Sequence, residues 1–220
     1  RDLLSRVIYG VRTSILIGVL AGLILTLIGV LVGLVAGYFG GYIDLILMGL
    51  TDLMLTLPPL PLIMVLAVIL GKNFWTVVIV IAITSWPQVA RLIRSMAISI
   101  REYPYVEAAK VIGASNLRIL LRHILPNVVP LAISQFIVSV SLAIVIEAGL
   151  AFLGLRNPLE LSLGIILYEA QTGGGTGSAF VAGAWWWILF PGLLISLITM
   201  SFAFLGYAID VAINPRLRRV

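Results

Sequence analysis

Residues 14–37 read Ser-Ile-Leu-Ile-Gly-Val-Leu-Ala-Gly-Leu-Ile-Leu-Thr-Leu-Ile-Gly-Val-Leu-Val-Gly-Leu-Val-Ala-Gly, a run without a single charge. A helix needs about 20 such residues to cross a bilayer. Gly18, Gly22, Gly29, Gly33 and Gly37 recur so that, at about 100° per residue, all five fall on one third of the helix circumference. Small residues on one face let a second helix come close, which is how helices associate in lipid. The run therefore predicts a spanning helix built to be packed against.

The rest of the chain reads the same way. Of its 220 residues 61% are hydrophobic and 10% charged, and the mean hydropathy is +1.18. Soluble domains carry about 25% charged residues. A membrane barrel would need short alternating segments, and none are visible. The expected fold is all-α, a polytopic membrane helical bundle with five spans at about 14–37, 44–70, 74–90, 128–153 and 185–208. Residues 1–12, where Leu3, Leu4, Val7, Ile8 and Val11 alternate with Arg1, Arg6 and Arg12, read as an amphipathic surface helix. The second span carries Pro58, Pro59 and Pro61. Prolines break a helix, and broken helices survive in membranes only inside a bundle or beside a cavity. Residues 154–184 form an external segment. Within it Leu161 to Ala170 is too short to cross, and Gly173 to Ser178 reads as a flexible loop. Trp185-Trp186-Trp187 marks the headgroup level at the start of the fifth span. A basic tail, 209–220, closes the chain.

The net charge of +5 reports topology rather than nucleic-acid binding. The loop after the third span holds Arg91, Arg94, Arg101, Lys110, Arg118 and Arg122, and the tail holds Arg216, Arg218 and Arg219. Lys and Arg concentrate on the cytoplasmic side, so loop and tail lie there and the amino-terminal end of the first span lies outside. The chain begins at Arg1, and a further span upstream is expected, which would return the amino terminus to the cytoplasm.

The cytoplasmic loop, 101–127, is patterned. Pro104 suits the first turn of a helix. Tyr105, Ala108, Ala109 and Ile112 then share one face, and Gly113 is placed to end the helix with a left-handed residue. Ser115 caps a second helix, in which Leu117, Leu120, Leu121 and Ile124 repeat the spacing until Pro126 stops it. Two short helices joined by a glycine make either a docking knob or an ordinary hairpin packed on its own bundle.

Glu107-Ala108-Ala109, Gly113 after three intervening residues, and Ile124-x-Pro126 resemble the EAA motif of permease subunits in binding-protein-dependent ABC importers. Tyr9-Gly10-x-Arg12-x-Ser14, Ala36-Gly37-Tyr38-Phe39-Gly40-Gly41, Phe152-Leu153-Gly154-Leu155, Pro191-Gly192 and Asn214-Pro215-Arg216 are similar to the C-type subunit of the dipeptide, oligopeptide and nickel branch. Leu161-Ser162-Leu163-Gly164 departs from the Pro-x-Trp-Gly common in that branch. The resemblance implies a MetI-like permease core in a bacterial or archaeal inner membrane. It implies a heterodimer with a B-type permease, two cytoplasmic ATPase subunits that bind ATP and Mg, an extracytoplasmic substrate-binding protein, and contact with membrane lipid. It further implies that Glu107, Ala108, Ala109 and Gly113 meet an ATPase groove, with Leu117 and Leu120 in support.

Acids inside the spans need a partner or a cavity. Asp44 and Asp52 lie in the second span and Glu147 in the fourth. Asp52, near the inner gate, and Glu147, near the outer, are candidates for the translocation pathway, against the plainer reading of helix-to-helix hydrogen bonds. Gln135, Ser134, Ser139 and Ser141 add polarity to the fourth span, and the serines read as interhelical glue. The chain itself is not expected to be an enzyme or to bind a cofactor: it has no G-x-x-x-x-G-K-[ST] and no H-E-x-x-H. With His123 as its one histidine and no cysteine, no multi-histidine or thiolate metal site forms within it. Two other readings compete. A stand-alone ion-driven carrier also uses broken helices and membrane acids, but it leaves the loop unexplained. A membrane-embedded enzyme lacks a catalytic constellation.

Overall fold

A computed structural model describes residues 2–173, 178–179 and 181–213. Among the described residues the chain is helical throughout: α1 Leu3–Phe39, α2 Gly41–Thr56, α3 Pro59–Leu70, α4 Phe74–Arg101, α5 Pro104–Val111, α6 Asn116–Ile119, α7 Leu125–Phe152, α8 Leu163–Thr172 and α9 Trp186–Ile213. Four helical stretches, Leu3–Phe39, Phe74–Arg101, Asn116–Phe152 and Trp186–Ala212, are long and apolar enough to cross a membrane, and α2 with α3 makes a fifth, bent by 90°.

The bend follows from the prolines. Leu57 precedes Pro58 and Pro58 precedes Pro59, and a residue before proline is driven out of the helical region. Both are extended, with ψ of 132° and 120°. Two extended residues in succession turn the chain, and Pro59 and Pro61 then sit in the first turn of α3, where backbone N–H groups have no helical acceptor anyway.

The first twelve residues are not a separate surface helix. The α1 helix starts at Leu3, capped by Asp2, whose carboxylate accepts from the Leu4 and Ser5 amides at 3.1 and 3.3 Å. It runs unbroken into the span. Part of the apolar face read as membrane-bound is taken by α8 instead: Val7 packs with Leu163 and Ile166, with Leu3 and Val11 beside them, and Arg6 makes a two-pronged ion pair with Glu169, while Leu4 and Ile8 stay exposed.

The α1 helix is the mast of the bundle, and its glycine face serves two partners. Its first half lies on α7, where a Cβ added at Gly18 would come within 2.5 Å of Ile144. Its second half lies on α4, where a Cβ at Gly33 would come within 2.5 Å of the Ala90 carbonyl oxygen. Lipid tails are as apolar as side chains, so this packing is held by close van der Waals contact rather than by expulsion of water. The core comprises the inner faces of α1, α4 and α7, with Leu25, Ile81, Ile93 and Ala143 fully enclosed.

The α6 helix does not stop at Pro126. It passes through a π-helical turn, Leu120–Ile124, into α7, and the Leu125 amide donates to the Leu120 carbonyl five residues back. A π turn inserts one residue into the ladder. The widened turn lets the chain run through Pro126 as the start of α7, and Asn127 bonds back to the His123 carbonyl at 2.6 Å. The segment Gly174 to Gly177 and the basic residues Arg216, Arg218 and Arg219 lie outside the described residues.

Candidate functional site

Three groups of residues carry chemistry. The first is the knob formed by α5 and α6. Pro104 opens α5, and Gly113 follows it with φ +81°, a left-handed conformation that glycine adopts without a Cβ clash. Ser115 caps α6 by accepting from the Arg118 amide at 3.4 Å. The knob is fastened to the bundle by Val106, Ala109, Ile119 and Ile124, all buried. Tyr105 bridges its two arms, its hydroxyl accepting from Asn127 at 3.3 Å. Desolvation, with Tyr103 alongside, pushes the Tyr105 phenol above its ordinary pKa.

The buried face of α5 differs from the expected one. Tyr105, Ala108 and Ile112 face outward, and only Ala109 of that set is buried. The spacing argument counted alanines as packing positions and passed over Val106, the larger apolar side chain one residue along. Glu107, Ala108 and Gly113 are exposed, so they remain available to a partner, whereas Ala109 is turned to the chain's own core. Leu120 packs against that core, while Leu117 is 68% exposed. Val111 and Ile112 stand out at 87% and 83% exposure.

The second group links the bent span to α4. Asp44 takes Arg94 in a two-pronged pair at 2.5 Å, with side chains only 20% and 34% exposed. Two turns on, Asp52 accepts a single contact from Arg91 at 2.6 Å, with side chains 58% and 54% exposed. Arg91 and Arg94, counted as loop charges from the sequence, are thus the counter-ions of the two acids. Arg101 reaches the Tyr38 carbonyl, and Tyr38 donates to Asn116 at 2.8 Å, tying α1 to the knob.

The third group surrounds Glu147. Its side chain is wholly buried, and one carboxylate oxygen takes Arg156, itself wholly buried. The other accepts from the Ser14 hydroxyl at 3.0 Å, and Ser14 in turn accepts from the Leu163 amide at 3.3 Å. Glu160 contacts Arg156 from its other side at 3.4 Å. This corrects the placing of Glu147 on a pathway: no part of it faces solvent, and it locks α1, α7 and the start of α8 together. Sequence reading missed Arg156 as the partner. The signal was present, since a membrane acid demands a counter-charge and Arg156 is the one basic residue in 154–184. Elsewhere Ser141 donates to the Thr199 carbonyl at 2.8 Å, an interhelical bond of α7 to α9, whereas Ser134 bonds within its own helix.

Comparison with known proteins agrees with this architecture. Residues 29–219 match the family model described as binding-protein-dependent transport system inner membrane component. The dipeptide transport system permease protein DppC of Bacillus subtilis (strain 168) is 38% identical over 221 residues, covering 100% of this chain and 67% of that protein. The probable D,D-dipeptide transport system permease protein DdpC of Escherichia coli (strain K12) is 37% identical, covering 98% of this chain and 70% of its own. Among solved structures, a chain of the MetNI methionine ABC transporter, in inward-facing conformations, superposes with a TM-score of 0.71 at 19% identity, covering 96% of each chain. That likeness concerns the fold. The match along most of the chain sets aside the ion-driven carrier and the membrane enzyme. The chain belongs to the family of binding-protein-dependent transport system inner membrane components, and it is a non-catalytic, multi-pass permease subunit of a bacterial ABC importer.

Proposed function

We propose that this permease forms half of the translocation pathway of a peptide importer and is driven through its α5–α6 knob by cytoplasmic ATPases. The remaining partners would be a B-type permease, a second ATPase and an extracytoplasmic substrate-binding protein. ATP and Mg would be held by the ATPases. Peptide is preferred to nickel as cargo because relatives at 37–38% identity are named as dipeptide permeases.

The observation that carries the coupling role is the contrast within the knob. Val106, Ala109, Ile119 and Ile124 anchor it, while Val111, Ile112 and Leu117 project as apolar side chains beside Glu107 and Ala108. A rigid base beneath an exposed apolar tip transmits a push, because anchored side chains move with the helices they pack on. ATP-driven closure of the ATPases would draw two such knobs together and shift the bundle between two states.

Co-purification tests it. The permease complex is compared with a variant whose residues 104–124 are replaced by a Gly/Ser linker. ATPase subunits retained by the first and lost by the second are expected. Equal retention would overturn the coupling role.

A further inference from the structure

The α4 helix carries a polar stripe apart from its apolar packing face. Thr84, Gln88, Arg91, Ser95 and Ser99 follow one another at three- and four-residue steps. At about 100° per residue they share one quarter of the helix surface. Gln88, Arg91, Ser95 and Ser99 are exposed and Thr84 is half-buried, while Val89, Ala90, Ile93 and Ala97 turn the opposite way into the core. At 1.5 Å per residue the stripe runs about 22 Å along α4, from Thr84 within the apolar span to Ser99 near its end. Lipid does not tolerate such a stripe, and polar side chains at membrane depth face a water-filled cavity or a bundle interior.

Asp52 meets this stripe at Arg91. The neighbouring pair Asp44–Arg94 is two-pronged and mostly shielded, a clamp between α2 and α4. Asp52–Arg91 differs in both respects: it makes one contact, and more than half of each side chain is open. The two side chains can part without exposing a buried charge. Together they offer one carboxylate and one guanidinium, net neutral, beside uncharged hydroxyl and amide groups.

Resting on the peptide-importer reading above, we propose that the α4 stripe lines the translocation pathway and that Asp52 and Arg91 form a station for the zwitterionic termini of a passing peptide. The peptide ammonium replaces Arg91 as the partner of Asp52. The peptide carboxylate replaces Asp52 as the partner of Arg91, whose planar fork suits it. Both charges remain paired throughout, so a zwitterion passes where a lone ion would leave one side chain uncompensated. The pair reforms behind it.

The chain contains no cysteine, so single cysteines can report on the lining. The complete importer, in proteoliposomes, is prepared with Gln88→Cys or Ser95→Cys, and with Ile79→Cys on an exposed apolar side of the same helix. A charged, membrane-impermeant thiol reagent is expected to label the first two and not the third, and alanyl-alanine in transport should slow that labelling. Asp52→Asn and Arg91→Gln are each expected to lower alanyl-alanine uptake at least about tenfold, the factor that loss of one charge-assisted contact produces. Binding-protein-stimulated ATP hydrolysis should persist in both. The neutral pair Asp52→Asn with Arg91→Gln, which can still hydrogen-bond to each other but offers no charge, separates the roles. It restores uptake if the two residues merely hold each other, and that result would overturn the station. Equal labelling of Ser95→Cys and Ile79→Cys would overturn the lining. Failure of the unaltered importer to take up alanyl-alanine would instead overturn the peptide reading on which the station rests.

Discussion

Glu147 of α7 and Arg156, nine residues on, form an ion pair closed to solvent on both sides. Removing two charges from water is costly, and the cost is recovered only when further hydrogen bonds complete the site. Ser14 and Glu160 supply two of them, while the buried Arg156 Nε has no partner among the described residues. The pair also gives the loop after α7 its path: the Lys72 ammonium holds the Gly154 carbonyl at 2.7 Å, and the Asn157 amide donates to the Lys72 carbonyl at 3.0 Å.

Breaking that pair one-sidedly should be worse than removing it whole. Arg156→Met strands a buried carboxylate and is expected to destabilise the subunit by about 3–5 kcal/mol. The double variant Glu147→Gln with Arg156→Met leaves no fully buried charge uncompensated, since Glu160 is partly exposed, and should recover most of that loss. Thermal unfolding of the purified permease complex, read for both variants, checks the order. A double variant less stable than Arg156→Met would count against the pair.

Gly113→Asp places a side chain at φ +81°, where an L-residue is strained by about 1–2 kcal/mol, and a charge on the exposed tip of the knob. Since a Cβ there meets nothing within 4 Å, the bundle should fold. ATP-driven uptake should fail while the subunit still reaches the membrane. Uptake at the normal rate would refute the role given to the knob.

Trimming the tip without touching its base is the complementary change. Val111→Ser with Ile112→Ser removes two side chains that are 87% and 83% exposed, so the melting temperature should stay put. Each buries about 1.5–3 kcal/mol of apolar contact if covered by a partner. Loss of at least about tenfold in ATPase affinity is therefore expected from titration of purified subunits.

The glycine face of α1 gives a positional test. Gly33→Val drives a side chain against the Ala90 carbonyl oxygen and should cost about 1–3 kcal/mol as an overpacked contact. Gly49→Ala in α2 meets nothing within 4 Å and should be neutral or stabilise by about 0.5–1 kcal/mol, since alanine loses less backbone freedom than glycine in a helix. Opposite signs in the same thermal assay are the expected result.

Much of this architecture was readable in one dimension. Charge-free runs marked the spanning helices, because lipid excludes charge wherever it falls in the chain. Consecutive prolines marked the break between α2 and α3, and Gly113 and Ser115 marked the turn between α5 and α6, because those effects act on the residue itself and its neighbours. The faces of α5 were less legible. Tyr105, Ala108, Ala109 and Ile112 have helical spacing, but so does the set containing Val106 and Ala109, and only contact with α4 and the π turn distinguishes them. The π turn itself left no mark, since its extra residue shifts the register without changing composition.

By itself, then, the sequence determined that this is a helical membrane permease with one broken span and one patterned polar loop. Hydropathy, proline geometry and the EAA spacing are local properties and survive without knowledge of the neighbours. Only the tertiary structure decided which acid meets which base. Glu147 found Arg156 and Ser14, Asp44 found Arg94, and Asp52 found Arg91. A charge in the membrane must be compensated, but many partners along the chain satisfy that demand equally. The choice among them is made by how α1, α2, α4 and α7 pack, and that packing is the sum of contacts between residues far apart in the chain.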